Sequence, residues 1–139
     1  MPHFLFDTDH LTLYERGNQL VVQHAVAQPL GDVAISAVTA EESLRGRVGY
    51  LARPLTGAAR VRAYSLLIGT LKLISSMPIL AFDSACEMQY QQLRAQVPRV
   101  GSQDLKIAAV ALVGGLTLLT RNRRDFSLVP GLKLADWSV

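Results

Sequence analysis

Residues 3–17 read HFLFDTDHLTLYERG. The first five, HFLFD (3–7), form a short apolar run ending in a carboxylate, the pattern of a buried strand that carries Asp7 to its C-terminal end. Thr8 or Asp9 then caps a helix through LTLYERG, with Gly17 as its stop. A strand followed at once by a helix starts an α/β chain, and the rest of the sequence repeats the alternation. Gln19 to Gln28 predicts a second helix, DVAIS (32–36) a second strand, and VTAEESLRGRVGYL (38–51) a helix with Ser36 or Thr39 near its start. Residues 57–76 give the longest helix; Tyr64, Leu67, Ile68, Leu71 and Ile74 follow helical spacing and are expected to be mostly core. After Pro78, PILAF (78–82) is a third strand, and Asp83 caps a helix with Cys86, Tyr90, Leu93 and Val97 on one face. Ser102 caps the helix QDLKIAAVALVGG (103–115), LTLLT (116–120) is a fourth strand, and LKLAD (132–136) is a fifth. This alternation predicts a parallel sheet with helices on both faces.

The chain has 139 residues, half of them hydrophobic, which suits a single domain over 1–139 with a real core. Net charge is +3, and 11 of the 14 basic residues are arginine. Arginine's planar fork suits bidentate contact with phosphate. The single cysteine, Cys86, rules out an intramolecular disulfide and fits a reducing, cytoplasmic setting, with the residue itself in the core. The opening MPHFLFDTDH carries two aspartates and no basic region, so no signal peptide is expected. The longest apolar stretch, Ile107 to Leu119, has 13 residues with two glycines inside, too few to span a bilayer.

Four carboxylates hold related places in this layout. Asp7 ends the first strand, Glu42 lies early in the helix after the second, Asp104 lies in the first turn of the helix opened by Ser102, and Asp125 follows the fourth strand. In a parallel α/β sheet, strand C-termini and the N-termini of the following helices share one rim, where ligands bind. Acids gathered there repel one another and stay ionised together only around a cation. An all-oxygen set suits Mg²⁺ or Mn²⁺ better than structural zinc. Glu41 neighbours Glu42, and position in the helix alone does not choose between them. His3, His10 and His24 lack the spacing of a zinc site or a catalytic triad and read as structural.

These segments resemble the PIN-domain ribonucleases, and among them the VapC-like toxins of bacterial toxin–antitoxin pairs. FLFDTDHL (4–11) resembles the opening strand and first acid of that family. ISAVTAEESLRG (35–46) resembles its Ser/Thr–Glu helix, with the acid three residues after the Thr, which selects Glu42. GSQDLKIAAVAL (101–112) resembles the helix of the third acid, and LTRNRRDFSLVPGLKLADW (119–137) resembles the closing segment. The resemblance implies a three-layer α/β/α sandwich around a short, mainly parallel sheet of about five strands. It implies metal ligands at Asp7, Glu42 and Asp104, a fourth acid at Asp125, and polar support from Thr8, Ser36, Thr120 and Asn122.

The function implied is a Mg²⁺- or Mn²⁺-dependent endoribonuclease that hydrolyses RNA, tRNA among the candidates, with a metal-activated water. A homodimer and a cognate antitoxin are implied as partners, with a larger toxin–antitoxin assembly as an extension and no membrane. Part of the Tyr64–Ile74 stripe would then serve a dimer or antitoxin groove. Arg121, Arg123 and Arg124 are expected to bind flanking phosphates; Arg45 and Arg47 would do the same or pair with acidic groups of an antitoxin, and Lys106 is a further phosphate contact. Trp137 is expected to pack against the sheet. The rival readings are a catalytically silent PIN-like module that binds RNA or protein, and another metal-dependent nuclease or phosphatase.

Overall fold

A computed structural model describes residues 1–139. In chain order the elements are β1 (Phe4–Phe6), α1 (Thr8–Glu15), α2 (Gln19–Val26), β2 (Val33–Ser36), α3 (Ala37–Leu51) and α4 (Gly57–Ser75). They continue with β3 (Ile79–Leu80), α5 (Ser84–Gln96), α6 (Ser102–Gly114), β4 (Thr117–Leu119), α7 (Arg123–Phe126) and β5 (Lys133–Ala135). The five strands form one sheet in the order β3-β2-β1-β4-β5, and every pairing is parallel.

The sheet is only two to four residues deep, yet it separates two cores because side chains alternate along each strand. Leu5 pairs in register with Ala34 and Leu118, and all three face the core shared with α5 and α6. One residue on, Phe6 pairs with Ile35 and Leu119, which face the other core with Leu11, Val21, Ile74 and Trp137. The result is the expected three-layer α/β/α sandwich. Trp137 packs on Phe4 and Phe6 and stacks on His24, as expected for a residue covering the sheet. Cys86 is buried in the first core. No helix is long and apolar enough to cross a membrane.

Three local expectations are corrected. The cap of α1 is Asp7, which accepts the backbone N–H of His10 at 2.7 Å, rather than Thr8 or Asp9. The residue before α6 is Gly101, so Ser102 is the first helical residue and caps nothing. The third correction concerns α4. Its buried face is Ala63, Thr70 and Ile74, while Tyr64, Ile68 and Leu71 are exposed. The helix carries apolar residues on most of its circumference, so spacing alone does not identify the inner face. A polar contact decides it: Thr70 donates to Glu15 Oε2 at 2.7 Å and accepts from Arg47 Nε at 3.0 Å, and Arg47 also reaches Glu15. That triad ties α4 to α1 and α3, and turns the Tyr64 face outward.

Other boundaries agree with the reading. Asp83 caps α5 by accepting the N–H of Cys86, and Gly115 closes α6 at φ 66°, a conformation that favours glycine.

Candidate active site

Strand order reverses at the centre of the sheet. From β1 the chain moves outward to β2 and β3, then returns to place β4 on the other side of β1. The crevice between the C-terminal ends of β1 and β4 is therefore the topological switch point where α/β folds bind ligands. Asp7 leaves β1 there, and its N–H donates to Leu119 O in β4 at 3.0 Å. Thr120 leaves β4 beside it.

Asp7 is 6 % exposed. Burial pushes its carboxyl up to about 6, against hydrogen bonds from Thr120 and the His10 N–H that pull it down; the nearby charges of Asp9 and Asp104 push it further up. Asp104, in the first turn of α6, is also raised, by burial first and then by the charges of Glu42 and Asp125. Asn122, in the loop after β4, reaches both Asp104 and Asp125, and Thr8, next to Asp7, reaches Glu42, so side-chain hydrogen bonds gather the four acids toward one rim.

Polar side chains hold the acids in place. Thr8 donates to Glu42 Oε1 at 2.6 Å, which commits its proton and makes Thr39 the donor in the 3.1 Å contact between the two hydroxyls. Asn122 donates from Nδ2 to Asp125 Oδ2 at 3.1 Å and, more loosely, to Asp104 Oδ2 at 3.4 Å. The same side chain caps α7 by accepting the Asp125 N–H. Thr120 is fully buried; its Oγ accepts the Asn122 N–H at 2.9 Å, and its hydroxyl counters the upward shift of the Asp7 carboxyl. Ser36 works one step back: buried, it caps α3 through the Thr39 N–H and so sets the helix that carries Glu42.

The expected phosphate contacts fare unevenly. Arg123 and Arg124 are exposed at the start of α7. Arg121 instead closes a bidentate ion pair on Asp9, both bonds at 2.7 Å. Arg45 forms an exposed bidentate pair with Glu41 one helical turn away, and Arg47 is taken up by Glu15 and Thr70. Lys106 donates to Gln103 at 3.0 Å and lies over the Tyr90 ring. Arg121, Arg45, Arg47 and Lys106 are thus each engaged within the chain. The Glu41–Glu42 ambiguity is also resolved: Glu41 turns outward to Arg45 while Glu42 turns to Thr8.

Two residues near the site escape the sequence reading. Asp9, considered only as a helix cap, anchors Arg121. His10, read as structural because it belongs to no zinc spacing, is fully buried with Nδ1 3.7 Å from Asp7 Oδ1. Burial holds its pKa below the usual value. The available signal was its place three residues after Asp7, one helical turn into α1.

An oxygen-only set of Asp7, Glu42, Asp104 and Asp125, two of them pushed up by burial and mutual repulsion, fits a hard divalent cation. The side chains whose ligand atoms already lie within 4.8 Å of one another are a different trio, Asp7, Asp9 and His10. That trio fits a cation less well, because Asp9 spends both oxygens on Arg121 and His10 Nε2 accepts the Trp137 N–H at 3.1 Å, which leaves the ring proton on Nδ1.

Comparison with known proteins bears on the same residues. The family model of the PIN domain matches residues 7–132, from the first acid to beyond the last. The chain belongs to the PIN-domain family. Within that family it is VapC-like. It is 31 % identical over 141 residues to a protein of Salmonella typhimurium named tRNA(fMet)-specific endonuclease VapC, covering 99 % of both chains. A Shigella flexneri protein of the same name is 28 % identical over 99 % of this chain and all of its own. Among solved structures, a chain of DNA-bound VapBC from Salmonella typhimurium superposes with a TM-score of 0.80 at 25 % identity, covering 99 % of both chains. By sequence and by fold this PIN domain is therefore similar to VapC proteins, and all four acids fall within the residues that the family model spans.

Proposed function

We propose that this PIN domain, one unit over residues 1–139, is a divalent-metal-dependent endoribonuclease that uses Mg²⁺ or Mn²⁺ and acts as the toxin of a toxin–antitoxin pair. Asp7, Glu42 and Asp104 hold the ion, and Asp125 joins them or orders them through Asn122. The observation that carries this reading is the gathering of four carboxylates at the switch point, with Asp7 and Asp104 raised by burial and by their neighbours' charge. When bound, the ion supplies a lowered water pKa and offsets charge at the scissile phosphate.

The chain's own residues do the rest. Thr8 and Asn122 fix the rotamers of Glu42, Asp104 and Asp125, so that the carboxylates need little reorganisation. Arg123 and Arg124 hold the phosphates on either side of the cut. The names of the relatives favour tRNA as the substrate class. The outward face of α4, with Val61, Tyr64, Ile68 and Leu71, is the surface proposed for a homodimer or for the antitoxin, within a larger toxin–antitoxin assembly. The setting proposed is the cytoplasm.

The test uses protein freed of any antitoxin, incubated with total RNA and either Mg²⁺ or Mn²⁺, beside Asp7→Asn and Asp104→Asn variants. Metal-dependent cutting by the wild type alone supports the reading. RNA binding without cutting points to a silent binding module, and cutting of DNA or phosphate monoesters alone points to another hydrolase. Cutting that survives both substitutions places the activity elsewhere.

A further inference from the structure

His10 is fully buried, and both faces of its chemistry can be read from its neighbours. The backbone N–H of Trp137 donates to Nε2 at 3.1 Å, across 127 positions of chain. An imidazole nitrogen that accepts a hydrogen bond carries a lone pair, so the ring is neutral and its one proton sits on Nδ1. Asp136 approaches the same Nε2 at 3.5 Å, but its Oδ1 is already taken by the N–H and hydroxyl of Ser138 at 2.8 and 2.6 Å. Nδ1 is then a donor with no choice of tautomer, and it is the one buried side-chain polar atom in the chain without a partner. The carboxylate oxygen facing it is Asp7 Oδ1, 3.7 Å away. That is beyond a hydrogen bond and within a small rotation of one.

Buried donors rarely go unpaired, and a carboxylate that ligates a metal is usually itself held by hydrogen bonds. We propose that His10 is a positioning residue for Asp7: its Nδ1–H orients the carboxylate for the cation, while Nε2 locks the ring to the C-terminal segment at Trp137. This rests on the metal-site reading given above. It also ties the end of the chain to the reaction centre, because the Trp137 N–H selects the tautomer that points at Asp7. His10 is not a metal ligand in this scheme, since Nδ1 has no lone pair to give.

Two substitutions divide the two ring nitrogens. His10→Gln keeps an acceptor near the Nε2 position for Trp137 and removes the Nδ1 donor. His10→Asn keeps an amide donor near the Nδ1 position and removes the acceptor. Each full-length protein is measured for Tm without metal and for Mn²⁺ affinity by electron paramagnetic resonance without RNA, beside wild type and Asp7→Asn. The expected pattern is crossed. His10→Gln holds a Tm near wild type and binds Mn²⁺ about tenfold more weakly, the lower end of the usual cost of losing a ligand's hydrogen-bond partner. His10→Asn melts earlier and keeps Mn²⁺ affinity within about threefold of wild type. Wild-type affinity in His10→Gln, or losses of Tm and affinity that run in parallel in both variants, would overturn the proposal. Failure of the metal reading is distinct: the wild type would bind no Mn²⁺, or Asp7→Asn would bind it as well as the wild type, and the His10 role would fall with it.

Discussion

Arg121 closes its guanidinium on the carboxylate of Asp9 through two 2.7 Å bonds, joining the loop after β4 to the first turn of α1 across 112 positions. The stretch TRNRRDF (120–126) places Asp125 among three arginines, and a local ion pair is the simplest expectation. The structure distributes them otherwise: Asp125 is held by Asn122, Arg121 by Asp9, and Arg123 and Arg124 stay exposed. Charge available to a polymer at this loop therefore comes from Arg123 and Arg124. Replacing both with Gln is expected to flatten the salt dependence of RNA binding by about 1.4 in the log–log slope, roughly 0.7 per lost phosphate contact. Arg121→Gln should change the slope less than either single change at 123 or 124. Fluorescence anisotropy across a salt series checks this, and equal slopes for all the variants would count against the assignment.

Stability without metal is expected to depend on pH through Asp7. Its folded pKa of about 6 lies above the ordinary 3.8, so between those values the native state binds more protons than the unfolded state. The contribution to stability is complete below pH 3.8 and is lost as pH rises through about 6. Asp104 shifts in the same direction. Asp7→Asn removes the buried charge, and an asparagine can still cap α1. The variant is expected to be more stable than the metal-free wild type at pH 8, by up to about 3 kcal/mol from a shift of roughly two pKa units. Mn²⁺ should raise the wild-type Tm and leave that of Asp7→Asn unchanged. Chemical denaturation at pH 5 and pH 8, with and without metal, measures each part.

The hydrogen bonds behind the acids should matter more to catalysis than to folding. Thr8→Val keeps shape and loses the bond to Glu42; Asn122→Ala loses the bonds to Asp104 and Asp125. Each is expected to lower metal-dependent cleavage by about 10- to 100-fold. Asn122→Ala should also cost about 1 kcal/mol through the lost cap of α7. Initial cleavage rates across a metal series, set beside denaturation curves, separate the two effects. A stability loss with unchanged rates would show that these side chains serve the fold alone.

Glu41 and Glu42 provide an internal control. Glu41 faces outward to Arg45, and Glu42 faces Thr8 on the rim. Glu41→Gln is expected to cleave RNA at the wild-type rate, and Glu42→Gln to lose about 100-fold or more. Equal loss in the two variants would remove Glu42 from the site.

The alternation of strands and helices, the strand ends at Asp7 and Thr120, and the cap at Asp83 were legible because each has a local signal: an apolar run, a stop, or a short polar side chain at a helix start. The rim of acids followed from parallel topology. What local pattern could not give was direction. The inner face of α4 depends on Glu15 and Arg47, which reach Thr70 from other helices. The fates of Arg45, Arg47, Arg121 and Lys106 likewise depend on side-chain partners that spacing does not reveal. His10 was missed because its role comes from Trp137, at the opposite end of the chain.

The central claim is that Asp7, Glu42 and Asp104, supported by Asp125, hold the divalent ion that makes this PIN domain a nuclease. Calorimetric titration of Mn²⁺ into antitoxin-free protein at pH 7.5 tests it most directly, with wild type beside Asp7→Asn, Glu42→Gln, Asp104→Asn and Glu41→Gln. The account predicts binding by wild type and Glu41→Gln, and loss of binding in the other three. Mn²⁺ affinity that survives Asp7→Asn and Asp104→Asn would contradict it.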